Sequence, residues 1–294
     1  MSDPGDRLRP PPGERSVAEL LSFGVVNLDK PAGPSAHQVA AWVRDMADVD
    51  RAAHAGTLDP KVTGCLPLLL GDATRIARAL LGPKEYVSVL ELHGPPPADL
   101  AAVVSEFEGP IYQKPPKKSA VRRTLRVREI YELSVLETRD RQALLRIACE
   151  SGTYVRKLCH HLGLALGTGA HMGHLRRTRS TPFDDSDLVT LHDLSDALAF
   201  AEEGDEEPLR EVVAPAERAL SEIPAVTIAR SAARNVATGA PVYAPGVIDH
   251  DEEAVDADLV ACYTPDGSAV CLGQMVGDPE AESGIVVELE RVLV

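Results

Sequence analysis

Aromatic residues are scarce in this chain: six Tyr, four Phe and one Trp make up 4% of 294 residues. The core must be mostly aliphatic, so any aromatic beside a polar motif stands out. Cysteine is limited to five positions, 65, 149, 159, 262 and 271, with no C-x-x-C pair. That count argues against a disulfide scaffold and fits reduced thiols in a cytosol. No run of about 18 apolar residues occurs, so no membrane span is expected. The opening MSDPGDRLRPPPGERS lacks an apolar stretch and reads as a loosely ordered arm rather than a secretory signal. Neither G-x-x-x-x-G-K-[ST] nor G-x-G-x-x-G is present, which leaves nucleotide-dependent chemistry without support.

Lysine is also rare, seven against twenty-three arginines, while acids are plentiful and the net charge is −15. Such a surface suits a salt-rich cytoplasm, where screening suppresses repulsion between like charges. The charge is unevenly spread. Residues 111–182 hold fifteen Lys and Arg against five acids, a local balance of +10, which leaves −25 for the rest. A basic stripe in so acidic a chain is the footprint of a polyanion-binding face.

The length predicts two domains. Residues 24–29 read as a strand, followed by a helix capped by Ser35 with Val39, Trp42, Val43 and Met46 on one face. Asp72 and Asp99 are placed to cap two further helices. Strands are expected over 86–92, 125–137, 142–150 and 175–181, and a helix over 153–166 with Val155, Leu158, Cys159 and Leu162 inward. Thr190 with Asp193 starts another helix. The run AEEGDEE at 201–207 reads as the start of an acidic linker over 201–221. Residues 222–294 then look like a small, mostly β module with a hairpin turn at Pro265-Asp266-Gly267.

The most telling stretch is His54-Ala55-Gly56-Thr57-Leu58-Asp59-Pro60, continuing through Gly64-Cys65-Leu66-Pro67 to Gly71-Asp72-Ala73-Thr74. It sets one carboxylate in a stiff turn before an apolar run, a way to hold a nucleophile still. An Asp-Pro pair by itself is more often only a turn. A metal site among Cys149, Cys159, His160, His161, His171 and His174 is not expected, because the spacing lacks tight zinc-type pairs.

Together with Cys149-Glu150-Ser151-Gly152-Thr153-Tyr154-Val155-Arg156, Lys84-Glu85-Tyr86-Val87 and Asp29-Lys30-Pro31-Ala32-Gly33-Pro34-Ser35, this stretch resembles the TruB and dyskerin family of pseudouridine synthases. Ser35 falls one place earlier than in the family's first motif. The element Tyr112-Gln113-Lys114-Pro115-Pro116-Lys117-Lys118-Ser119-Ala120-Val121-Arg122-Arg123 resembles the archaeal and eukaryotic branch. Residues 240–247, APVYAPGV, are similar to a PUA domain, whereas the acidic run at 249–258 departs from an RNA-facing surface and is expected in a solvent-facing loop.

The resemblance implies an α/β (α+β) fold: a mixed, mainly antiparallel sheet with flanking helices, plus a small β-barrel-like PUA domain. It implies a flexible arm over 1–20, a catalytic domain over 21–200, the acidic linker over 201–221 and the RNA-binding module over 222–294. Asp59 would be the nucleophile, Arg156 would hold and aim its carboxylate, and Tyr86 would stack on the flipped base and help remove the C5 proton. Tyr154, Leu175, His54 and Lys30 would line the substrate pocket, with Lys30 read alternatively as structural or phosphate-facing and His54 as contacting the RNA backbone or packing the turn. Lys114, Lys117, Lys118, Arg122, Arg123, Arg176 and Arg177 would grip the RNA backbone. A carboxylate can add at C1′ of the sugar or at C6 of the ring; the residues leave both open. No redox step occurs, so no cofactor is expected, and no metal. The implied partners are RNA, either tRNA at the TΨC loop or guide RNA with ribosomal RNA, and the small proteins of an H/ACA particle, in the cytoplasm. A non-catalytic RNA-binding scaffold is the competing reading.

Overall fold

The run Gly24-Val-Val-Asn-Leu lies at the middle of the protein because both of its faces are covered. In the computed structural model, which describes residues 8–115 and 122–294, successive residues of this strand enter two different apolar clusters. Val26 and Leu28 join one, while Val25 joins the other. A strand buried on both sides must be apolar at nearly every position rather than alternating.

The elements follow in chain order as α1 (Val17–Ser22), β1 (Gly24–Lys30), α2 (Ala36–Met46), β2 (Ala52–His54), β3 (Thr63–Leu70), β4 (Lys84–Leu92), α3 (Leu100–Ser105), β5 (Gly109–Gln113), β6 (Arg126–Arg139) and β7 (Gln142–Cys149). They continue as α4 (Val155–Ala165), β8 (Ala170–Ser180), β9 (Phe183–Asp184), α5 (Leu191–Glu202), α6 (Glu207–Val212) and β10 (Ala214–Pro215). Among the described residues these strands form one sheet in the order β10-β1-β3-β8-β4-β7-β6-β5, with β2 on β3 and β9 on β8. β3 and β8 run parallel, and their neighbours are antiparallel. This is the mixed, mainly antiparallel sheet with flanking helices that the resemblance implies.

The second module begins at β11 (Ala225–Ile228) and continues with α7 (Arg230–Val236), β12 (Val242–Tyr243), β13 (Val247–His250), β14 (Val260–Tyr263), β15 (Ala269–Met275) and β16 (Ile285–Val292). Its strands form a barrel-like sheet in the order β12-β16-β15-β14-β11-β13. β14 and β15 are the antiparallel pair joined through Pro265-Asp266-Gly267. The acidic run is only partly a solvent-facing loop. Asp249 and His250 pair with β11, and the 3-10 turn Glu252–Asp256 buries Ala254.

Four local expectations need correction. Trp42 is 46% exposed, because the buried stripe of α2 runs through Ala36, Val39, Ala40 and Val43 and leaves Trp42 at its flank. Asp72 caps no helix; the segment Gly71–Ile76 is a 3-10 turn, and the Asp72 carboxylate instead accepts from Arg9 and Arg51 and pairs with Arg75. Asp99 makes no side-chain cap on α3. Residues 201–221 are not a linker. The charged run is exposed, but the residues after it are largely apolar: Leu209, Val213, Ala216, Ala219 and Leu220 are buried, and β10 pairs with β1.

Of the arm expected over 1–20, the described residues 8–20 are ordered against the rest of the fold. Ser16 and Glu19 make a reciprocal capping box that starts α1. The Arg15 guanidinium is buried against both carboxylate oxygens of Glu217, at 2.8 and 2.6 Å. No helix among the described residues is long and apolar enough to cross a membrane.

Candidate functional site

The carboxylate of Asp59 sits in a loop tied down at three points. Gly56 turns the chain with φ +92°, and its carbonyl accepts from Arg177 Nη2 at 3.1 Å. The Pro60 carbonyl accepts from the Gly33 amide at 2.8 Å and from Lys30 Nζ at 3.1 Å. Lys30 Nζ also reaches the carbonyls of Pro31 and Val62, at 2.8 and 2.9 Å. A fully buried ammonium with three converging carbonyls is a clip, since an unpartnered charge there would cost several kcal/mol. Burial lowers the Lys30 ammonium below its ordinary range, and the Asp59 charge works the other way.

Arg156, ninety-seven residues further on, reaches the Asp59 carboxylate with Nη2. It lies in the first turn of α4, whose inner face of Val155, Leu158, Cys159 and Leu162 packs into the core. Both side chains of the pair are about half exposed, each at 49%. The pair therefore stands at an open surface.

β4 alternates strictly between faces, which puts Lys84, Tyr86, Ser88 and Leu90 on the side of α4; Ser88 Oγ lies 3.8 Å from Cys159 Sγ. Tyr86 is paired across the sheet with Arg177, whose positive charge acts on its phenol. Burial pushes the Tyr86 phenol up, and Arg177 opposes it. Leu175, also buried, lies opposite Ser88 on β8. Lys84 Nζ donates to the Leu80 carbonyl at 3.0 Å; burial and then the Arg177 charge push this ammonium down to about 8.

Arg177 is thus the hub under the site and not an RNA-backbone contact. It is 1% exposed, bonds the carbonyls of Cys65 and Gly56, and lies across the strand pair from Tyr86. The sequence places it in a row of arginines, and only strand alternation on β8 sends it inward while Arg176 points out. Arg176 is itself engaged, with both terminal nitrogens on Asp29 at 2.9 and 3.1 Å. For Lys30 the structural alternative stands and the substrate-pocket role does not: it holds the Asp59 loop and has no surface to offer a substrate. His54 is partly buried edge-on against His37, and burial, His37 and Arg177 together push it down to about 4. At neutral pH it carries no charge for a phosphate.

Lys114, Arg122 and Arg123 are exposed beyond the ends of β5 and β6; Arg123 Nε closes the base of their connection on the Pro115 carbonyl at 3.1 Å. Lys117 and Lys118 lie outside the described residues. Tyr154 is half-buried immediately before α4. Gln113, to which the sequence pattern assigns no role, bonds the Tyr154 backbone twice. Among the described residues no group of three or more His, Cys, Asp or Glu is placed to hold a metal ion.

Four family signatures tile most of this frame. They are the DKCLD (NUC011) domain over 10–40, the TruB family pseudouridylate synthase N-terminal domain over 44–98, the tRNA pseudouridylate synthase B C-terminal domain over 156–221 and the PUA domain over 224–293. The probable tRNA pseudouridine synthase B of Halobacterium salinarum is 67% identical, over 98% of this chain and 99% of its own. The chain belongs to the TruB family of pseudouridine synthases. A TruB-family relative from Haloarcula marismortui, also a probable tRNA pseudouridine synthase B, is 64% identical over 98% of this chain and 94% of its own. Among solved structures, a chain of a Cbf5-Nop10-Gar1 complex matches with TM-score 0.91 and 45% identity, covering 100% of this chain and 91% of that one. A chain of an H/ACA RNP bound to a substrate RNA containing 2′-deoxyuridine matches with TM-score 0.88 and 41% identity, covering 100% and 97%.

Proposed function

We propose that this TruB-family chain isomerises uridine in RNA as the catalytic subunit of a guide-directed particle, with Asp59 as its nucleophile. The observation that carries the reading is the Asp59–Arg156 pair, half exposed on a loop held by Lys30 and Arg177. A fixed carboxylate adds to the nucleoside, at C1′ or at C6; the N1–C1′ bond breaks, the detached uracil turns, C5 bonds to C1′, the carboxylate is released, the C5 proton passes to a base or to water, and N1 takes up a proton in its place. Atoms and electrons balance without a cofactor. Arg156 holds the carboxylate's direction through a charge-assisted bond. Tyr86 and Leu175 offer the apolar, aromatic wall on which an extruded base stacks. Because burial raises the Tyr86 phenol, its neutral form predominates at pH 7; to take the C5 proton it must first become a phenolate, the form that the Arg177 charge favours.

Exposed Lys114, Arg122 and Arg123 are proposed to grip RNA phosphates, and the same role is proposed for Lys117 and Lys118. The match to Cbf5 with Nop10 and Gar1, and to an RNP with substrate RNA, supports guide RNA and small protein partners for this chain. Exposed Tyr112, Val127 and Tyr131 on β5 and β6, the outer edge of the sheet, offer an apolar face for such a protein. The second reading is stand-alone action on the TΨC loop of tRNA, favoured by the names of the relatives at 64–67% identity. Five free and buried cysteines suit a reducing cytoplasm.

The test is pseudouridine formation at high salt in a tRNA transcript and in a guide-matched ribosomal RNA fragment, with and without guide RNA and the small proteins. Guide-dependent conversion supports the first reading. Conversion of the tRNA by the chain alone supports the second. RNA binding without conversion under any condition would leave only the scaffold.

A further inference from the structure

The segment that carries the exposed cations and the helix that carries Arg156 are joined by one side chain. Gln113 is the last residue of β5 and is 2% exposed. Its Oε1 accepts from the Tyr154 amide at 2.9 Å, and its Nε2 donates to the Tyr154 carbonyl at 3.2 Å. The carboxamide thus copies the paired bonds that a neighbouring strand residue would make. Tyr154 is the residue immediately before α4, and it has no side-chain cap. Its carbonyl already receives the Lys157 and Leu158 amides of the first helical turn, at 2.9 and 3.0 Å. Arg156 lies within that turn.

The strand after the cationic connection braces the other side. β5 pairs with β6 through Gln113 opposite Arg126. Within β6, Arg128 Nη1 donates to Glu150 Oε1 at 2.9 Å and the Glu129 amide donates to Glu150 Oε2 at 3.1 Å. Thr153 Oγ1 then donates to the Glu150 carbonyl at 2.7 Å. The approach to Arg156 is therefore held from both stems of the hairpin that displays Lys114, Arg122 and Arg123.

We propose that Gln113 is a positioning residue: its carboxamide fixes the Tyr154 backbone at the start of α4 and so sets where Arg156 meets Asp59. This rests on the proposed role of the Asp59–Arg156 pair. A shift of about 1 Å in a positioning group far from the reacting bond is enough to cost about 100-fold in rate.

The experiment is a double-mutant cycle of Gln113→Met with Arg156→Ala, in the assembled particle at high salt, read by single-turnover pseudouridine formation, RNA affinity and thermal midpoint. Methionine keeps the length of the side chain and removes both bonds. Gln113→Met is expected to slow the isomerisation about 10- to 100-fold with RNA affinity changed less than about twofold. In the Arg156→Ala background the same substitution is expected to cost less than about twofold, because a displaced helix start has no guanidinium left to misplace. Gln113→Glu keeps the acceptor for the Tyr154 amide and should recover part of the rate. Should Gln113→Met not fold, Gln113→Glu against Arg156→Ala supplies the same cycle. Additive losses, or a rate loss matched by a loss of RNA affinity, would overturn the proposal while leaving the site itself intact. Full activity of Arg156→Ala alone would overturn the reading on which it rests.

Discussion

Asp59 and Arg156 are ninety-seven residues apart in the chain and touch in the fold, and neither shows from its own surroundings that it will meet the other. The groups around them decide the geometry. Lys30 and Arg177 spend their charge on backbone carbonyls instead of on a ligand, which converts a Gly- and Pro-rich turn into a fixed mount for a carboxylate. His54 belongs to the same packing. Its imidazole is pushed down to about 4, chiefly by burial, with His37 and Arg177 adding to it. In the unfolded chain the group titrates at about 6.5, so that state takes up the proton first, and folding stability falls as pH drops from 6.5 towards 4. His54→Gln removes this linkage. Its thermal midpoint should therefore decline less steeply than that of the natural protein across this range; parallel declines would place the acid sensitivity in other groups.

Among the elements, the junction of β3 and β8 matters most, because it is parallel, central and built on glycine. Gly64 pairs with Arg177 at φ +96°, and a Cβ there would lie 2.2 Å from the Arg177 carbonyl oxygen. Gly64→Ala combines a left-handed backbone penalty with a clash and should destabilise the protein by about 2–4 kcal/mol. It should also slow the reaction, because the strand that moves carries Arg177. Denaturant midpoints and single-turnover rates measure the two effects, and an unchanged midpoint would contradict the packing described here.

Much at this scale is legible in the sequence. The strand of β1, the inner face of α4, the Thr190–Asp193 cap and the β14–β15 hairpin follow from periodicity and local turn chemistry, which are properties of neighbours along the chain. The fates of Arg177, Asp72 and Gln113, and the choice between a structural and a phosphate-facing Lys30, are not legible there. Each is set by which carbonyls, guanidinium groups or amides arrive from distant strands, and no spacing rule encodes that convergence. The apolar stripe of α2 is narrower than its periodicity suggests and excludes Trp42, since the helix buries a face rich in small residues. The AEEGDEE run has the composition of a linker, yet the apolar residues after it pack into the core and pin the segment down.

As a whole molecule, the protein joins its two modules through a continuous apolar core rather than a tether. One cluster combines Val25, Leu69, Phe183 and Leu220 of the first module with Ala261, Ala269, Leu272 and Leu293 of the second. At the same boundary Glu217, which binds Arg15 of its own module with both oxygens, accepts from the Ala269 amide of the second module at 3.1 Å. Arg9 lies 4.3 Å over the Phe23 ring and reaches the Leu293 carbonyl. The pair of Arg15 and Glu217 is almost fully buried, at 0% and 11% side-chain exposure. Removing one partner leaves the other charge uncompensated, so Glu217→Ala should cost about 3–5 kcal/mol and loosen the module boundary. Equilibrium unfolding at high salt tests this, and a loss below about 1 kcal/mol would mean that the apolar cluster alone holds the boundary.

The carboxylate of Asp59 is the centre of the proposed chemistry. Its most direct measurement is release of the C5 hydrogen from C5-tritiated uridine in bound RNA, under single turnover, by the natural protein and by Asp59→Asn. The variant keeps the size and polarity of the side chain and loses the nucleophile. Tritium release should fall by at least about 1,000-fold, with RNA affinity and thermal midpoint close to those of the natural protein. Release by Asp59→Asn at a rate near that of the natural protein would contradict the assignment of Asp59, and with it the mechanism built on this site.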